Sequence, residues 1–368
     1  MAEPKKYLES SETVIINKRP ETDLSTADFD FYLPEESIAQ TPLKDRASSR
    51  LMVVRRSESG VEHKVFSDIL DELRPEDMLV VNSSKVIAAR LLGVCDKGGA
   101  PMELLLLRAL ESGCWETLVR PGKRAKVGAS FTFGEGILKA TVEEVFEDGN
   151  RAVRFSYDKS AYTDFYAVLD EVGNMPLPPY IKEKLKDKNR YQTVYAKEEG
   201  SAAAPTAGLH FTDDLLEKIK AKGVGYGEVT LHVGLGTFRP VKESKIADHE
   251  MHFEHFKITK EVCDEINCRR ANGGRLVCVG TTSCRVIESA SDENGIVHPI
   301  EADTGIFIFP GYRFKATDAL ITNFHLPQST LLMLVSALAG KERMLDAYSC
   351  AVKEGYRFFS FGDAMFIC

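Results

Sequence analysis

Several stretches of this chain set reactive side chains beside small residues. In GSAAAPTAGLHF (Gly200–Phe211) a run of Gly, Ala and Ser with one Pro leads to His210. Small residues let a ligand approach the backbone, and a histidine after such a loop can serve as acid, base or donor; Thr206 and Gly208 belong to the same loop. LHVGLGTF (Leu231–Phe238) reads as a strand entering a Gly-rich turn, with His232 and Gly234 where a backbone cradle can form. It has G-x-G but neither the third Gly nor the following helix of a dinucleotide fingerprint. DHEMHFEH (Asp248–His255) holds three His and three acids in eight positions. A metal site, a proton-transfer or substrate-binding strand and a solvated polar strand are all open readings. H-E-x-x-H is absent, and on a strand His249 and His255 share one face while His252 takes the other. That spacing disfavours a three-histidine metal site.

VGTTSCR (Val279–Arg285) lies between a strand and a helix. If Thr281, Thr282 and Ser283 precede the helix, the free N–H groups there bind anions, and Arg285 can clamp a carboxylate or phosphate. The plainer reading is N-capping by Thr282 or Ser283. TGIFIFPGY (Thr304–Tyr312) and TNFHLPQST (Thr322–Thr330) combine aromatics with turn residues. Asn323, Phe324 and His325 precede a capped helix, where an aromatic face can hold a purine or a sulfonium; Phe307 and Phe309 read as core. Two basic clusters stand out. Arg120, Lys123, Arg124 and Lys126 ride on a Pro-Gly turn; Lys182, Lys184, Lys186, Lys188 and Arg190 follow PLPPYI. Either can touch a phosphate backbone or stay a solvated loop.

The elements that must position these residues fall into two textures. Between about 90 and 157, short apolar runs (Met102–Leu107, Trp115–Val119, Ser130–Phe133, Leu138–Val145, Ala152–Tyr157) alternate with Gly-, Pro- and Asn-rich turns, which predicts a small antiparallel barrel or sandwich. Elsewhere strands alternate with helices. Strands are expected at Met78–Val81, Glu228–Val233, Arg275–Val279 and Ile306–Phe309. Helices are expected at Ile69–Leu73 (capped by Ser67), Asp213–Lys222, Glu261–Ala271, from Ser283 and over Ser329–Ala339. The predicted architecture is α/β with a partly parallel sheet. A discontinuous α/β domain (28–89 and 158–368) carries the β-rich segment 90–157 as an insert, after a poorly ordered extension, residues 1–27.

Composition narrows the function classes. The 368 residues are 43% apolar and 28% charged, which excludes wholesale disorder and coiled coil. A net charge of −8 excludes attachment to nucleic acid by bulk positive charge, though not by a local patch. The eight Cys lack C-x-x-C spacing and read as free thiols of a reducing compartment. No apolar run approaches the length of a membrane span. The expectation is a cytoplasmic protein, a monomer, with no metal and no permanently bound cofactor.

Taken in order, DFDFYLP (Asp28–Pro34), MPLPPYI (Met175–Ile181), YQTVYA (Tyr191–Ala196), AAPTAGLHF, LHVGLGTF, DHEMHFE, GTTSCR, TGIFIFPG, TNFHLPQSTLLMLVSA and FFSFGDAMFI (Phe358–Ile367) closely resemble the S-adenosylmethionine:tRNA ribosyltransferase-isomerase family of queuosine biosynthesis. NSSKVIAAR (Asn82–Arg90) resembles another family block, with Ser83 and Ser84 where Asn or Asp and Thr are commoner. The resemblance spans about 28–367. It implies an α/β domain plus a β-barrel. It also implies transfer of the ribosyl part of S-adenosylmethionine to the aminomethyl group of a 7-deazaguanine at the tRNA wobble position, with adenine and methionine released. Such chemistry needs a base for the proton beside the sulfonium, hydrogen bonds to departing adenine and a partner for the methionine carboxylate. His210 and His249 or His252 are the candidates for proton transfer. Arg285 with Thr281–Ser283 is the candidate for the carboxylate, and Phe324 with His325 for adenine. Thr206, Gly208, His232, Gly234 and Asn323 are further substrate contacts. Arg120, Lys123, Arg124, Lys126, Lys182, Lys184 and Arg190 are the tRNA candidates. A methyltransferase, a non-catalytic RNA-binding protein and a metal hydrolase are the rival readings.

Overall fold

The computed structural model describes residues 13–110, 113–183, 185, 187–234 and 241–368. Among these, ten strands form one mixed sheet. Its order is Val14–Ile15, Ile300–Thr304, Glu254–Ile258, Gly225–Leu231, Met78–Asn82, Leu276–Val279, Ala319–Asn323, Ala364–Ile367, Arg50–Val54, Glu62–Val65. The four strands from Gly225–Leu231 to Ala319–Asn323 run parallel. Met78–Asn82, Leu276–Val279 and Ala319–Asn323 are buried throughout, as expected of parallel strands covered on both faces. Alternate residues divide between two cores. Met78, Val80, Leu276, Cys278 and Leu320 pack on one side with helices Gly280–Ala290 and Thr330–Ala339. Leu79, Val81, Val277, Val279 and Ile321 pack on the other with helix Asp213–Ala221.

The β-rich segment closes into a six-stranded antiparallel barrel: Arg90–Cys95, Pro101–Ala109, Cys114–Arg120, Arg151–Tyr157, Leu138–Val145 and Ser130–Phe133, with the last pairing back to the first. Gly173–Asn174 adds a short seventh strand beside Leu91 and Arg90. The barrel core also takes in Ile87–Ala89 and, from helix Phe165–Val172, Val168 and Leu169. The barrel unit therefore extends past 157, the limit expected from the last turn signal, because that helix plugs it.

Four local expectations need correction. Ile306–Phe309 is not a ladder strand; the strand is Ile300–Thr304. Asn17 takes the place of a neighbouring strand, accepting the Phe307 N–H at 2.9 Å and donating to its carbonyl at 2.9 Å. Residues 13–27 are not a loose extension. Val14–Ile15 form an edge strand, Arg19 donates to the His249 carbonyl at 2.6 Å, and Thr26 N–H to Ser244 O at 2.9 Å. The cap before Ile69–Glu72 is not Ser67; Asp68 Oδ2 accepts the Val65 N–H at 3.1 Å. Helix Gly280–Ala290 begins three residues before Ser283, so Thr281–Ser283 form its first turn instead of preceding it. Among the described residues no helix is long and apolar enough to cross a membrane.

Candidate active site

Parallel strands end in a common direction, and in open α/β sheets ligands bind beyond those ends. Here Val279 leads into Gly280–Thr282 and Asn323 into His325, and both segments line a cavity of about 380 Å³. The remaining walls are Ala203–Ala207, Val233, Val241, Thr322, Leu326–Leu331, Tyr180, Phe359 and Ser360. The small-residue loop is held by hydroxyls. Ser201 Oγ accepts the Val233 N–H at 2.8 Å and lies 3.2 Å from Ser84 Oγ, one of the two serines at which the chain departs from the family pattern. Helix Gly280–Ala290 has no side-chain cap; its N-cap residue is Val279. Gly280 starts it at φ +84°, where a residue with a Cβ is strained. The first N–H groups thus face the cavity without a capping acceptor and favour an anion. Thr282 Oγ1 is buried there without a hydrogen-bond partner among the described residues.

Asn323 connects this cavity to the interior. Its Nδ2 donates to Phe359 O at 3.2 Å, so Oδ1 is the atom that accepts from Thr206 Oγ1 at 2.9 Å. Nδ2 also lies 3.0 Å from His210 Nε2. Nε2 must then accept, which places the His210 proton on Nδ1, 2.7 Å from Ser49 Oγ; that hydroxyl donates to Arg46 O at 3.3 Å. Each group in the chain has one consistent role with a neutral imidazole. Burial, with Arg357 and Arg46 nearby, lowers the His210 pKa to about 3. His210 stacks on Phe66 and does not line the large cavity. It orients Asn323 and is not placed to take a proton from a ligand there, contrary to the expectation for a catalytic base.

A second, smaller hollow adjoins the cavity across Thr281, Thr282, Thr330 and Leu331, and contains His252, Glu254 and Arg285. Glu254 is 3% and Arg285 6% exposed. They form a close ion pair, and Glu254 Oε1 also accepts the Gly234 N–H at 2.9 Å. Arg285 therefore meets a ligand already bound to a carboxylate, while its Nε has no partner among the described residues. The His252 side chain is about one-third exposed, with its Nε2 buried 3.9 Å from Glu254 Oε1.

Two of the cavity's residues hold left-handed backbone without being glycine: Gln328 at φ 60° and Phe359 at φ 73°. Such conformations cost on the order of 1–3 kcal/mol each and concentrate at ligand sites. Phe359 also sets its ring 4.2 Å from that of Tyr180, whose hydroxyl lies 2.6 Å from Ser360 Oγ. This exposes an aromatic wall to the cavity.

The predicted residues thus separate. Thr206, Thr281, Thr282, Asn323, Phe324 and His325 line the large cavity, and His252 and Arg285 the adjoining hollow. Phe324 contributes little ring surface: it is fully buried against Tyr348, Tyr356 and Phe358. His325 Nε2 lies 3.0 Å from Thr322 Oγ1. Gly208 packs under Tyr195, where a Cβ would stand 2.0 Å from the hydroxyl oxygen. Ser283 Oγ donates to Val279 O within the helix. Gly234 binds Glu254, and His232 stacks on His255 at 6.2 Å. None of these four lines the cavity. The expected His strand exists only from Glu254 onward, because Ile246–Asp248 is a helical turn. His249 is held by Glu243 at 2.9 Å and His255 by Asp303 at 3.1 Å, so the three histidines face different partners. Arg120, Lys123, Arg124 and Lys126 are exposed beside the barrel turn Gly122–Arg124. Lys182 is exposed and paired with Glu35. Arg190 turns inward to the carbonyls of Leu43 and Lys44. Lys184 lies outside the described residues. Tyr180, Gln328, Phe359 and Glu254 were not singled out in the sequence; backbone strain and cross-sheet pairing have no local sequence signal.

The buried histidines predict a pH effect. His210 and His325 have pKa values lowered to about 3 by burial, and His232 to about 4. In the unfolded chain they titrate near 6.5, so below that pH the unfolded state takes up protons that the folded state refuses. Their stabilising contribution is complete above about pH 6.5 and falls as pH drops toward 4, by up to about 1.4 kcal/mol per pH unit for each imidazole. Melting temperature should fall steeply between pH 6.5 and 4.5, and less steeply in His210→Gln. A flat profile in the parent protein would contradict the assignment.

Comparison with known proteins bears on this site. The profile of the family described as queuosine biosynthesis protein matches residues 26–367. A Clostridioides difficile (strain 630) protein named S-adenosylmethionine:tRNA ribosyltransferase-isomerase is 56% identical over 344 residues, covering 94% of this chain and all of its own. An Acetivibrio thermocellus protein of the same name is also 56% identical, with the same coverage. The crystal structure of S-adenosylmethionine tRNA ribosyltransferase from Thermotoga maritima matches with a TM-score of 0.52 at 40% identity, covering 93% of this chain and all of that one. With its mixed sheet and closed barrel matched over nearly its whole length, this chain belongs to the queuosine biosynthesis protein family.

Proposed function

We propose that this protein transfers and isomerises the ribosyl group of S-adenosylmethionine onto the aminomethyl group of 7-aminomethyl-7-deazaguanine at the wobble position of tRNA. The product is epoxyqueuosine in tRNA, with adenine and methionine released. S-adenosylmethionine enters as a substrate and leaves in pieces; it is not a resident cofactor. The acting unit is a cytoplasmic monomer. The observation that carries this reading is the cavity itself, because six of the stretches that resemble the family supply its walls.

The roles follow from placement. The uncapped first turn at Gly280–Thr282, with Arg285 Nε beyond it, receives the methionine carboxylate. The Tyr180–Phe359 wall takes a flat base by stacking, and Asn323 offers fixed polar groups beside it. His252, half-buried next to Glu254, is the proton acceptor for the acidic carbon beside the sulfonium. Arg120, Lys123, Arg124 and Lys126 supply RNA contacts from the barrel. The base to be modified must leave its stack to reach this cavity.

Incubation with S-adenosylmethionine and tRNA carrying the aminomethyl precursor tests the reading. Label in the ribose should enter RNA and adenine should appear, while label in the methyl group should not enter. Methyl label in RNA with S-adenosylhomocysteine as the product would make the protein a methyltransferase.

A further inference from the structure

Beside the large cavity, on the far side of His210, lies a hollow of about 20 Å³ that the proposed chemistry does not use. Three half-buried arginines from distant parts of the chain, Arg46, Arg190 and Arg357, converge on it. Their anchoring is unusual for so much charge. Arg46 donates to Gln192 O at 2.7 Å and Asn189 O at 3.0 Å; Arg190 donates to Leu43 O and to Lys44 O at 3.1 Å. Carbonyls fix a guanidinium in place but leave its charge intact. Of the three, only Arg357 has a carboxylate partner among the described residues, Asp363 at 3.3 Å. Asp187 and Asp213 offset Arg46 from farther away, while burial and Arg190 weaken its hold on its proton. Arg190 Nε is buried without an acceptor among the described residues. Clustered, pre-oriented guanidinium groups with N–H groups to spare match the oxygens of a phosphate.

We infer that this hollow binds a phosphate group, and that its ligand is a backbone phosphodiester of the RNA whose base enters the neighbouring cavity. The placement argues for RNA over a free anion. Ser360 lines both spaces, and His210 in the hollow lies 3.0 Å from Asn323 in the cavity. A nucleotide taken out of its stack must have its backbone held at the mouth of the pocket that receives the base. On a chain of net charge −8, such contacts are local and few. This inference rests on the RNA-modifying reading above.

The test measures binding of a fluorescent anticodon stem–loop RNA at several salt concentrations. Arg357→Gln should weaken binding about 10-fold at low salt and reduce the slope of log K against log salt by about 0.7, the value for one single-strand phosphate contact. Its affinity for S-adenosylmethionine, measured by calorimetry, should stay within about 2-fold, as expected if the contact serves the RNA backbone alone. Arg357→Lys should restore the slope and only part of the affinity. Arg190→Gln, which breaks no ion pair, is the second variant should the first not fold. Unchanged RNA affinity and slope in folded Arg357→Gln and Arg190→Gln would overturn the proposal and leave the arginines a structural role. The same holds if inorganic phosphate binds the parent protein at this hollow without competing with the RNA. Parent protein that binds no RNA at any salt would remove the RNA-modifying reading itself, and this inference with it.

Discussion

Glu254→Ala is expected to cost about 3–5 kcal/mol of stability, the range for stripping one partner from a buried ion pair. Glu254 and Arg285 are both almost fully buried, and Arg285 would keep only a long contact to Thr304 O at 3.4 Å. The Gly234 N–H would lose its acceptor as well. Activity should fall further than stability. Arg285 lies one turn beyond Thr281 and Thr282 on the same helix, so a shift there moves both threonines against the cavity; misplacement by about 1 Å costs on the order of 10²-fold in rate. A double variant separates the two effects. Glu254→Leu with Arg285→Leu removes both charges, and apolar replacement of a buried pair is often neutral. It should therefore recover most of the melting temperature and none of the adenine release. Denaturant unfolding that shows less than about 1 kcal/mol of loss in Glu254→Ala would place the pair in contact with solvent, against its burial here.

A comparable effect is expected from Asn323→Leu. The substitution keeps the volume and removes three hydrogen bonds at once: from Thr206, to His210 and to the Phe359 carbonyl. Each buried group left without a partner costs about 1–3 kcal/mol. Phe359 holds a strained backbone and half of the aromatic wall, so the loss should reach the ligand. A decrease of about 10²-fold in kcat/KM is the expected size. Asn323→Asp sharpens the test. It presents an acceptor to His210 Nε2, so the pair forms only if the ring carries a proton on Nε2, with the Ser49 hydroxyl then free to donate to Nδ1. Ring ¹⁵N shifts in the variant should then report a proton on His210 Nε2. In the parent the same measurement should find the proton on Nδ1 alone. Parent-like turnover in Asn323→Leu would show that the network is structural and does not reach the chemistry.

How far the sequence could be read depended on whether the deciding contact was local. The barrel strands were legible because each antiparallel pair is joined by a short turn with its own Gly, Pro or Asn signal. Its closure, Arg90–Cys95 on Ser130–Phe133, has no such signal, nor does the helix that plugs it. The central strands were legible as unbroken apolar runs, while Ile306–Phe309 had the same look and no neighbour to pair with. At the site, Thr206, Thr281, Thr282, Asn323 and His325 could be read as turn residues at strand ends. The direction in which a histidine points could not. His210 ends the small-residue loop as expected, yet it faces Ser49 and Asn323, which come from opposite ends of the chain. Glu254 looked like one acid among several, and only the fold selects it as the partner of Arg285.

One detail of the barrel bears on how such a molecule could arise. The chain enters the barrel sheet at Arg90 and leaves it at Asn174, and those two residues face each other across one ladder. The two crossings therefore form a neck only one strand pair wide, and the ten-stranded order on the other side is not interrupted by what hangs from it. A graft with adjacent ends disturbs its host little, which is why insertions succeed at such places. The half of the protein that builds the cavity could have existed before it acquired the cylinder, and lineages could exchange the cylinder without rebuilding the chemistry.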